Sequence, residues 1–417
     1  MNTDMIIKNG AFTGIRRQER QMKIQFAERA KDSKQPIIRV IDALSRSDPD
    51  FLAFGEGNPA FEALPRETIR DVATDIVTNY PEDILLYTNN GGDQEFKDVI
   101  MKRLREVRGI DTAGNDMLII TGGQQGLYLL PRIFTNDGDR VITEEITYAG
   151  MIDTIRGFRG ETVGIRLEDD GPDPDHLEHL LKTTDKVSFI YLIPTFSNPT
   201  GITTSLEKRK AIYELACRYD KIIVEDDPYS DLRYEGEDVP TIKSMDTEKR
   251  VVYLGTFSKT IAAGLRVGFI MAEPEIIRIA TNNKAAIDSN TPCLNQLICR
   301  NIMRDYDFEA NIRNIVRINK TKWKAAREGF DRYLPEGWRL YDAKGGLFCY
   351  VRSPEGVDET EFQQCCYKHK VAFSPSSSFS ADGLAHGGYR MAFTPNTVEQ
   401  ITEGCRRFGE AAGEFQV

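Results

Sequence analysis

The 417-residue chain contains only four histidines and seven cysteines. The cysteines are scattered and odd in number, which predicts reduced thiols rather than a disulfide framework. Cys365 and Cys366 are adjacent, and this spacing does not suit a zinc site. His176 and His179 share one face of a predicted helix, but the acidic residues around them indicate a solvated helix start. The scarcity of histidine therefore disfavours a histidine-based hydrolase or metalloenzyme, and we expect no bound metal.

The chain also lacks an excess of basic residues. It has 54 Lys and Arg against 64 Asp and Glu, a formal net charge of -10. This balance argues against a nucleic-acid-binding surface. No run of about 18 apolar residues occurs, so we expect no transmembrane helix and no membrane partner. The first four residues lack the basic, apolar pattern of a secretory signal peptide, and the expected location is cytoplasmic.

Short apolar runs alternate with helix-like segments between about residues 62 and 273. The runs lie at residues 118–121, 140–143, 162–165, 189–193, 222–225, 251–254 and 267–271. This alternation predicts an α/β fold with a mostly parallel sheet and helices on both faces. Apolar residues at helical spacing predict one long helix over about 308–334. Runs at 346–351, 371–373 and 389–393 predict the strands of a smaller α/β domain.

Lys259 lies in a polar turn between two of these apolar runs. Ser-Lys pairs in surface turns are common, so the segment alone fits an ordinary lysine. It also fits a lysine that forms a Schiff base with a cofactor aldehyde. In that case Thr256, Ser258 and Arg266 would grip the phosphate of the cofactor.

Polar residues follow other predicted strands, at the position where ligands bind in open α/β sheets. Asp226 could hold a heterocyclic nitrogen in its protonated form, because a nearby opposite charge favours the charged state. Tyr229 and Asn198 could reach a neighbouring ring oxygen, and the proline after Asn198 could be cis. The glycines at 121–126 expose backbone N–H groups to an anion. Each segment also fits a plain turn.

In their order along the chain, these motifs resemble those of the fold-type I pyridoxal-phosphate aminotransferases of class I and II. The branch of aminoadipate, kynurenine and aromatic or branched-chain aminotransferases is the most similar. The resemblance runs from about Phe54 to Phe393. Its motifs are those at 121–126, 144–148, 198–201 and 226–229, Ser258-Lys259 with Arg266, and Arg390.

The resemblance implies that pyridoxal phosphate is the cofactor and that Lys259 is its Schiff-base lysine and proton shuttle. Asp226 would pair with the ring nitrogen, Tyr229 and Asn198 would bond the phenolic oxygen, and Tyr148 would stack on the ring. The phosphate would be held by Gly123, Gln124, Thr256, Ser258 and Arg266.

The resemblance also implies a substrate site and a partner. Arg390 would clamp the substrate α-carboxylate in a bidentate way, beside Asn198 and Gly55. Tyr87 would reach the cofactor phosphate of the partner subunit, which implies a homodimer. The implied reaction moves an amino group from an L-amino acid to a 2-oxo acid by a ping-pong mechanism. A β-lyase, a decarboxylase or a biosynthetic cyclase of the same fold stays open, because the site residues are largely shared.

The implied fold has a large domain, with a mostly parallel seven-stranded sheet flanked by helices, and a smaller α/β domain. We expect residues 1–60 to form an N-terminal segment that packs on the small domain. The large cofactor-binding domain would span 61–305 and the small C-terminal domain 306–417. Within the N-terminal segment, residues 16–31 and 37–44 are predicted to be helical.

Overall fold

The computed structural model describes residues 24–27, 37–384 and 386–415 of the chain. In chain order, the strands are β1 (Leu52–Ala53), β2 (Asp116–Ile120), β3 (Arg140–Glu144), β4 (Glu161–Ile165), β5 (Leu167–Glu168), β6 (Gly171–Pro172), β7 (Val187–Leu192), β8 (Ile222–Asp227), β9 (Val251–Thr256), β10 (Gly268–Ala272), β11 (Arg339–Leu340), β12 (Phe348–Arg352), β13 (Val371–Ala372), β14 (Ser374–Pro375) and β15 (Gly388–Ala392). The α-helices are α1 (Ile37–Ser47), α2 (Arg66–Asn79), α3 (Pro81–Leu85), α4 (Gln94–Arg108), α5 (Gly123–Phe134), α6 (Ala149–Gly157), α7 (Pro174–Thr183), α8 (Leu206–Arg218), α9 (Pro274–Asp288), α10 (Cys293–Asp305), α11 (Phe308–Tyr333), α12 (Glu359–Lys368) and α13 (Val398–Gly413). None of the helices in these residues is both long and apolar enough to cross a membrane.

The large sheet has seven strands in the order β2-β10-β9-β8-β7-β3-β4. All neighbours pair in parallel except β10, which is antiparallel to both β2 and β9. The predicted mostly parallel seven-stranded sheet is therefore confirmed. Gly268 at the start of β10 lies opposite Ile120 and Thr256, the last residues of β2 and β9. One edge of the sheet thus gathers the ends of the parallel strands and the start of β10.

Helices cover both faces of this sheet, and that explains why its strands are continuously apolar. On one face, Leu127 of α5 and Met151 of α6 pack against sheet residues such as Ile120. On the other face, Phe96 of α4 and Leu297 of α10 pack against a second set of sheet residues. Side chains alternate between the faces along each strand, so both sets of positions need apolar residues.

The long helix α11 connects the large sheet to a second core. It was predicted over about 308–334, and this prediction is confirmed. Ile315 and Ile312 of α11 contribute to two of the apolar clusters on the large sheet. Trp323 belongs to a separate core, with Phe362 of α12 and Phe408 of α13. That core lies on the antiparallel sheet β11-β12-β15-β14.

The segment before the large sheet contacts the C-terminal part of the chain. Strand β1 pairs in parallel with β13, and Ile41 of α1 packs with Phe51 and Ala372. The predicted helix at 37–44 is confirmed as α1. The predicted helix at 16–31 is wrong where it can be checked, because residues 24–27 are not helical. Its remaining residues lie outside the described ones, and the predicted domain boundaries stay predictions.

Removal of the Trp323 side chain tests how much packing in the second core contributes to the stability of the fold. The ring is 1% exposed and lies 6.1 Å from the ring of Phe393, between centroids. We expect Trp323→Ala to lower the free energy of unfolding by about 3–5 kcal/mol, because the cavity cannot close completely. Urea unfolding followed by circular dichroism would measure the change. Lys324→Ala, at a side chain that is 75% exposed on the same helix, is the matched control. A shift there as large as that of Trp323→Ala would contradict a specific packing role.

Candidate active site

A cavity of about 270 Å³ opens at the edge of the large sheet where the parallel strands end. Phe348 of β12 and Arg390 of β15 close it from the side of the smaller sheet. The sequence-predicted residues that line it are Gly123, Gln124, Tyr148, Asn198, Asp226, Tyr229, Thr256, Ser258, Lys259, Arg266 and Arg390. Gly55 contacts one of these residues, because its carbonyl oxygen accepts a hydrogen bond from Arg390. Tyr87 does not line the cavity and is 93% exposed.

Lys259 lies in a single π-helical turn, Ser258–Ala262, immediately after β9. Its Nζ donates a hydrogen bond to the carbonyl oxygen of Gly57 at 2.6 Å. Burial, together with the positive charges of Arg390 and Arg266, lowers the pKa of the Lys259 amine to about 8. A substantial fraction of the amine is therefore neutral near physiological pH, and only the neutral amine is a nucleophile or a base.

Asp226 lies near the end of β8 and is buried. Its Oδ2 accepts a hydrogen bond from the hydroxyl of Tyr191 at 2.8 Å. Burial raises the pKa of the Asp226 carboxyl to about 7, against the opposing effect of the Tyr191 hydrogen bond. A cation in the cavity beside this carboxylate would favour its charged form.

A backbone cradle suited to an anion lies between β2 and α5. Helix α5 begins at Gly123, and its N-cap residue, Gly122, has φ +74° and provides no side-chain cap. A Cβ on Gly122 would lie 2.4 Å from Nη2 of Arg266. Thr256 and Ser258 add hydroxyls, which are 3.0 Å apart. Free N–H groups at the helix start, two hydroxyls and a guanidinium together form a site for phosphate.

Arg390 is a buried cation, 2% exposed, on β15. Its Nη1 donates to Oδ1 of Asn198 at 2.9 Å, and its Nη2 donates to the carbonyl oxygen of Gly55. Its guanidinium carbon lies 4.6 and 4.7 Å from the ring centres of Phe348 and Phe379. Burial lowers the pKa of Arg390 to about 10, while its Nε has no partner among the described residues. A buried guanidinium with a free donor suits recognition of a carboxylate.

Two tyrosines complete the walls of the cavity. The hydroxyl of Tyr148 donates to Oε1 of Gln124 at 3.2 Å. Tyr229 packs edge-on against Phe348, with ring centres 5.7 Å apart, and burial raises the pKa of its hydroxyl. The peptide bond after Asn198 is cis, as the sequence analysis allowed. Burial also raises the pKa of the Tyr148 hydroxyl, so both tyrosines are neutral donors near the Asp226 carboxyl.

Some residues of the site were missed by the sequence analysis. Tyr191 lies in an apolar strand, and such a tyrosine has the pattern of a core residue. Phe348, Phe379 and Ser374 contact Arg390, but they belong to none of the motifs that the sequence analysis identified. Gly57 acts through its carbonyl oxygen, which no residue pattern identifies.

A larger cavity of about 900 Å³ adjoins the first one and shares Gln124, Tyr148 and Arg390 with it. Tyr128 and Phe158 line it, with their ring centres 5.0 Å apart. The space beyond Arg390 is thus wide and partly aromatic.

Cys365, His369 and Glu414 bring a thiol, an imidazole and a carboxylate together at the ends of α12 and α13. Glu414 hydrogen-bonds to His369 at 2.7 Å and to Cys365 at 3.2 Å. The three groups satisfy one another, and none of them lines either cavity. We assign no metal to them.

Comparison with known proteins agrees with this site. A family model described as aminotransferase class I and II matches residues 49–408. The chain belongs to the class I and II aminotransferases. This membership confirms the predicted fold type, the transfer of amino groups and pyridoxal phosphate as the cofactor.

Several individual members of the family are similar to this chain over most of its length. The aminotransferase is 34% identical to the aromatic-amino-acid aminotransferase 1 of Thermococcus litoralis, over 93% of this chain and 94% of the relative. It is 31% identical to the 2-aminoadipate transaminase of Thermus thermophilus, over 87% of this chain and 90% of the relative. The solved kynurenine aminotransferase of Pyrococcus horikoshii, in complex with PMP, matches with a TM-score of 0.91. That match has 33% identity and covers 94% of this chain and 98% of the other.

These relatives are all aminotransferases, so the β-lyase, decarboxylase and cyclase alternatives are not favoured. The branch predicted from the sequence, with aminoadipate, kynurenine and aromatic members, is confirmed. The roles of individual site residues, the homodimer and the cytoplasmic location stay predictions for this aminotransferase.

The lowered pKa of Lys259 gives a testable pH dependence. In the cofactor-free protein, we expect acylation of this amine to rise with pH around a midpoint near 8, because only the neutral amine reacts. Peptide mass spectrometry after short exposure to an acylating reagent would measure the rate. The control is the same lysine in the urea-unfolded chain, where the midpoint should lie near the ordinary value of about 10.4. A midpoint above 10 in the folded protein would refute the effect of burial.

Proposed function

We propose that the aminotransferase uses Lys259, Asp226 and Arg390 to move the amino group of an L-amino acid to a 2-oxo acid by a ping-pong mechanism. One observation carries the proposal: an amine of lowered pKa, a buried carboxyl and a buried guanidinium border the same cavity. In this arrangement the Lys259 amine would move protons, and the Asp226 carboxylate would hold the cationic ring of the cofactor. The Arg390 guanidinium would hold the carboxylate of the substrate.

The residues of the cavity fit pyridoxal phosphate. When bound, it supplies an aldehyde that takes up the amino group and a ring that accepts electrons from the substrate Cα. The cradle at Gly122 suits its phosphate, because a side chain there would strike Arg266. The residues proposed to hold the phosphate are Gly123, Gln124, Thr256, Ser258 and Arg266. Tyr148 would cover the ring face.

Lys259 would act as both base and acid. A pKa of about 8 would let the amine accept a proton from the substrate Cα and then donate it to the cofactor, with little cost in free energy for either protonation state. The hydrogen bond to the Gly57 carbonyl keeps the amine at the cavity wall. This general acid–base step requires the amine to be close to the substrate but not permanently charged.

Asp226 would hold a proton on the ring nitrogen. Its carboxyl has no cationic hydrogen-bond partner among the described residues, so burial favours the neutral acid. A protonated ring nitrogen would supply the missing cation and favour the carboxylate. Tyr229 and Asn198 would donate to the phenolic oxygen on the same ring.

Arg390 would bind the α-carboxylate of the substrate. A carboxylate accepts two parallel N–H bonds from a guanidinium, which lysine cannot offer. The buried charge of Arg390 lacks an anionic hydrogen-bond partner among the described residues, and a substrate carboxylate would neutralise it. Gly55 and Asn198 would orient the guanidinium for this contact.

The adjoining cavity supports large substrate side chains. Its volume of about 900 Å³ and the rings of Tyr128 and Phe158 suit an aromatic or long side chain better than that of aspartate. The relatives named for aromatic amino acids and for 2-aminoadipate point to the same size class. We propose donors of that class for this aminotransferase.

The visible spectrum of the loaded enzyme tests the reaction. We expect a yellow band from the lysine-bound cofactor, and addition of a suitable amino acid without a 2-oxo acid should convert it to the colourless amine form. A 2-oxo acid should restore the band, because the two half-reactions are separate. Lys259→Ala cannot form this band, and it should produce the 2-oxo acid from the amino acid about 100- to 10,000-fold more slowly than wild type.

Lys324→Ala, on the exposed face of α11, is the control and should leave the conversion unchanged. Release of ammonia or CO₂ in place of the amine form would move the assignment to another reaction type. Absence of any band after pyridoxal phosphate is added would overturn the role of Lys259.

We further propose that the enzyme is a homodimer in which Tyr87 contacts the cofactor phosphate of the partner subunit. Leu85, Leu86 and Tyr87 are 77, 68 and 93% exposed, an unusual row of large apolar side chains for a free surface. A second subunit on this segment would bury them and bring the Tyr87 hydroxyl to the other site.

Light scattering should therefore give about twice the mass of the 47.2 kDa chain. Tyr87→Phe should keep that mass but weaken pyridoxal phosphate binding about tenfold, because one hydrogen bond to a charged group is lost. Tyr80→Phe, at an exposed tyrosine just before α3, should leave binding unchanged. A fully active monomer would contradict the role of Tyr87 in the partner site.

A further inference from the structure

Two buried tyrosines flank strand β8, and each donates to one of two consecutive carboxyls. Tyr191 of β7 donates to Asp226 at 2.8 Å, and Tyr253 of β9 donates to Asp227 at 2.6 Å. Successive side chains of a strand point to opposite faces, so the two pairs lie on opposite faces of the sheet. Asp226 lines the cofactor cavity and Asp227 does not.

The register of the sheet explains both pairs. Tyr191 lies opposite Val224, two residues before Asp226, and therefore shares its face. Within the described residues, the Tyr191 hydroxyl is the one donor to the Asp226 carboxyl, and it bonds Oδ2. The other oxygen, Oδ1, is left for a ligand.

The surroundings of Asp226 are crowded with titratable groups. Those from neighbouring elements are Glu144, Tyr148, Tyr229, Lys259 and Arg390, and Asp227 follows Asp226 on the same strand. Glu144 and Asp227 disfavour a second negative charge, as does burial. The hydrogen bond from Tyr191 opposes them, because it stabilises the charged carboxylate.

The Tyr191 hydroxyl is suited to this task. The side chain is fully buried, and burial holds the pKa of its hydroxyl well above the ordinary value. It therefore stays protonated and remains a donor over the whole working range of pH. A phenylalanine would fill the same space, so the hydroxyl adds nothing to apolar packing.

We infer that Tyr191 is a positioning residue, whose hydroxyl orients the Asp226 carboxylate and favours its ionised form so that Oδ1 can pair with the protonated ring nitrogen of pyridoxal phosphate. The inference rests on the proposed role of Asp226. Tyr191 does not line the cavity, so it would act only through that carboxylate.

Binding of two forms of the cofactor, with and without the ring nitrogen, distinguishes this positioning role of Tyr191 from a purely structural one. Cofactor-free wild type and Tyr191→Phe would be titrated with pyridoxal phosphate and with its 1-deaza analogue, in which carbon replaces the ring nitrogen. The ratio of the two dissociation constants isolates the contribution of the nitrogen. Wild type should bind pyridoxal phosphate more tightly than the 1-deaza analogue. In Tyr191→Phe the ratio of the two dissociation constants should move about tenfold toward one, because one hydrogen bond to a charged group is lost.

Tyr253→Phe is the matched control. It removes the same hydroxyl from the neighbouring strand, at the carboxyl that does not line the cavity. Its ratio of dissociation constants should equal that of wild type. In an Asp226→Asn background the preference should already be lost, and adding Tyr191→Phe should change the ratio no further.

The loaded enzyme gives a second readout. Loss of the donor raises the pKa of the Asp226 carboxyl, so the acidic limb of kcat should move to higher pH by about one unit in Tyr191→Phe. KM for the amino acid should stay the same, because Arg390 is untouched.

Each other outcome overturns the inference in a different way. If Tyr191→Phe weakens both cofactors equally, Tyr191 is structural only, and the role of Asp226 stands. If wild type binds both cofactors equally, Asp226 does not pair with the ring nitrogen, and Tyr191 has nothing to position. If wild type binds neither, the proposed function itself fails.

Discussion

The buried guanidinium of Arg390 connects the smaller sheet to two other segments of this aminotransferase by hydrogen bonds. Arg390 belongs to the smaller sheet, but two of its hydrogen-bond acceptors, Asn198 and Gly55, come from the loop after β7 and from the segment after β1. A buried charge that loses its partners is costly, so one side chain restrains three regions of the chain around the cavity. Phe348 and Phe379 give the cation further support through their ring faces.

Burial moves the charged groups of the cavity toward their neutral forms. It lowers the pKa of Lys259 to about 8 and that of Arg390 to about 10, and it raises that of Asp226 to about 7. Among the residues that the structure describes, Lys259 and Arg390 thus have no anionic hydrogen-bond partner, and Asp226 has no cationic one. Pyridoxal phosphate, with its phosphate and basic ring nitrogen, and an amino acid, with its carboxylate, would together supply these partners.

Much of the fold could be predicted, because buried parallel strands are continuously apolar and their ends collect polar residues. The long helix α11 followed from its apolar spacing, and Asp226 and Lys259 followed from their positions after strands. Tyr191 could not be recognised, since a buried tyrosine in an apolar strand resembles any core residue. The predicted helix at 16–31 fails at residues 24–27, because local helical preference is weak without an apolar face packed on the core.

The sequence by itself determined the order of elements, the family and the residues at the strand ends. Only the tertiary structure decided which buried polar groups meet. Tyr191 and Asp226 are 35 positions apart, Asn198 and Arg390 are 192 apart, and Gly55 and Arg390 are 335 apart. Such contacts depend on strand order, register and the docking of one sheet on another, and no local pattern of residues encodes these.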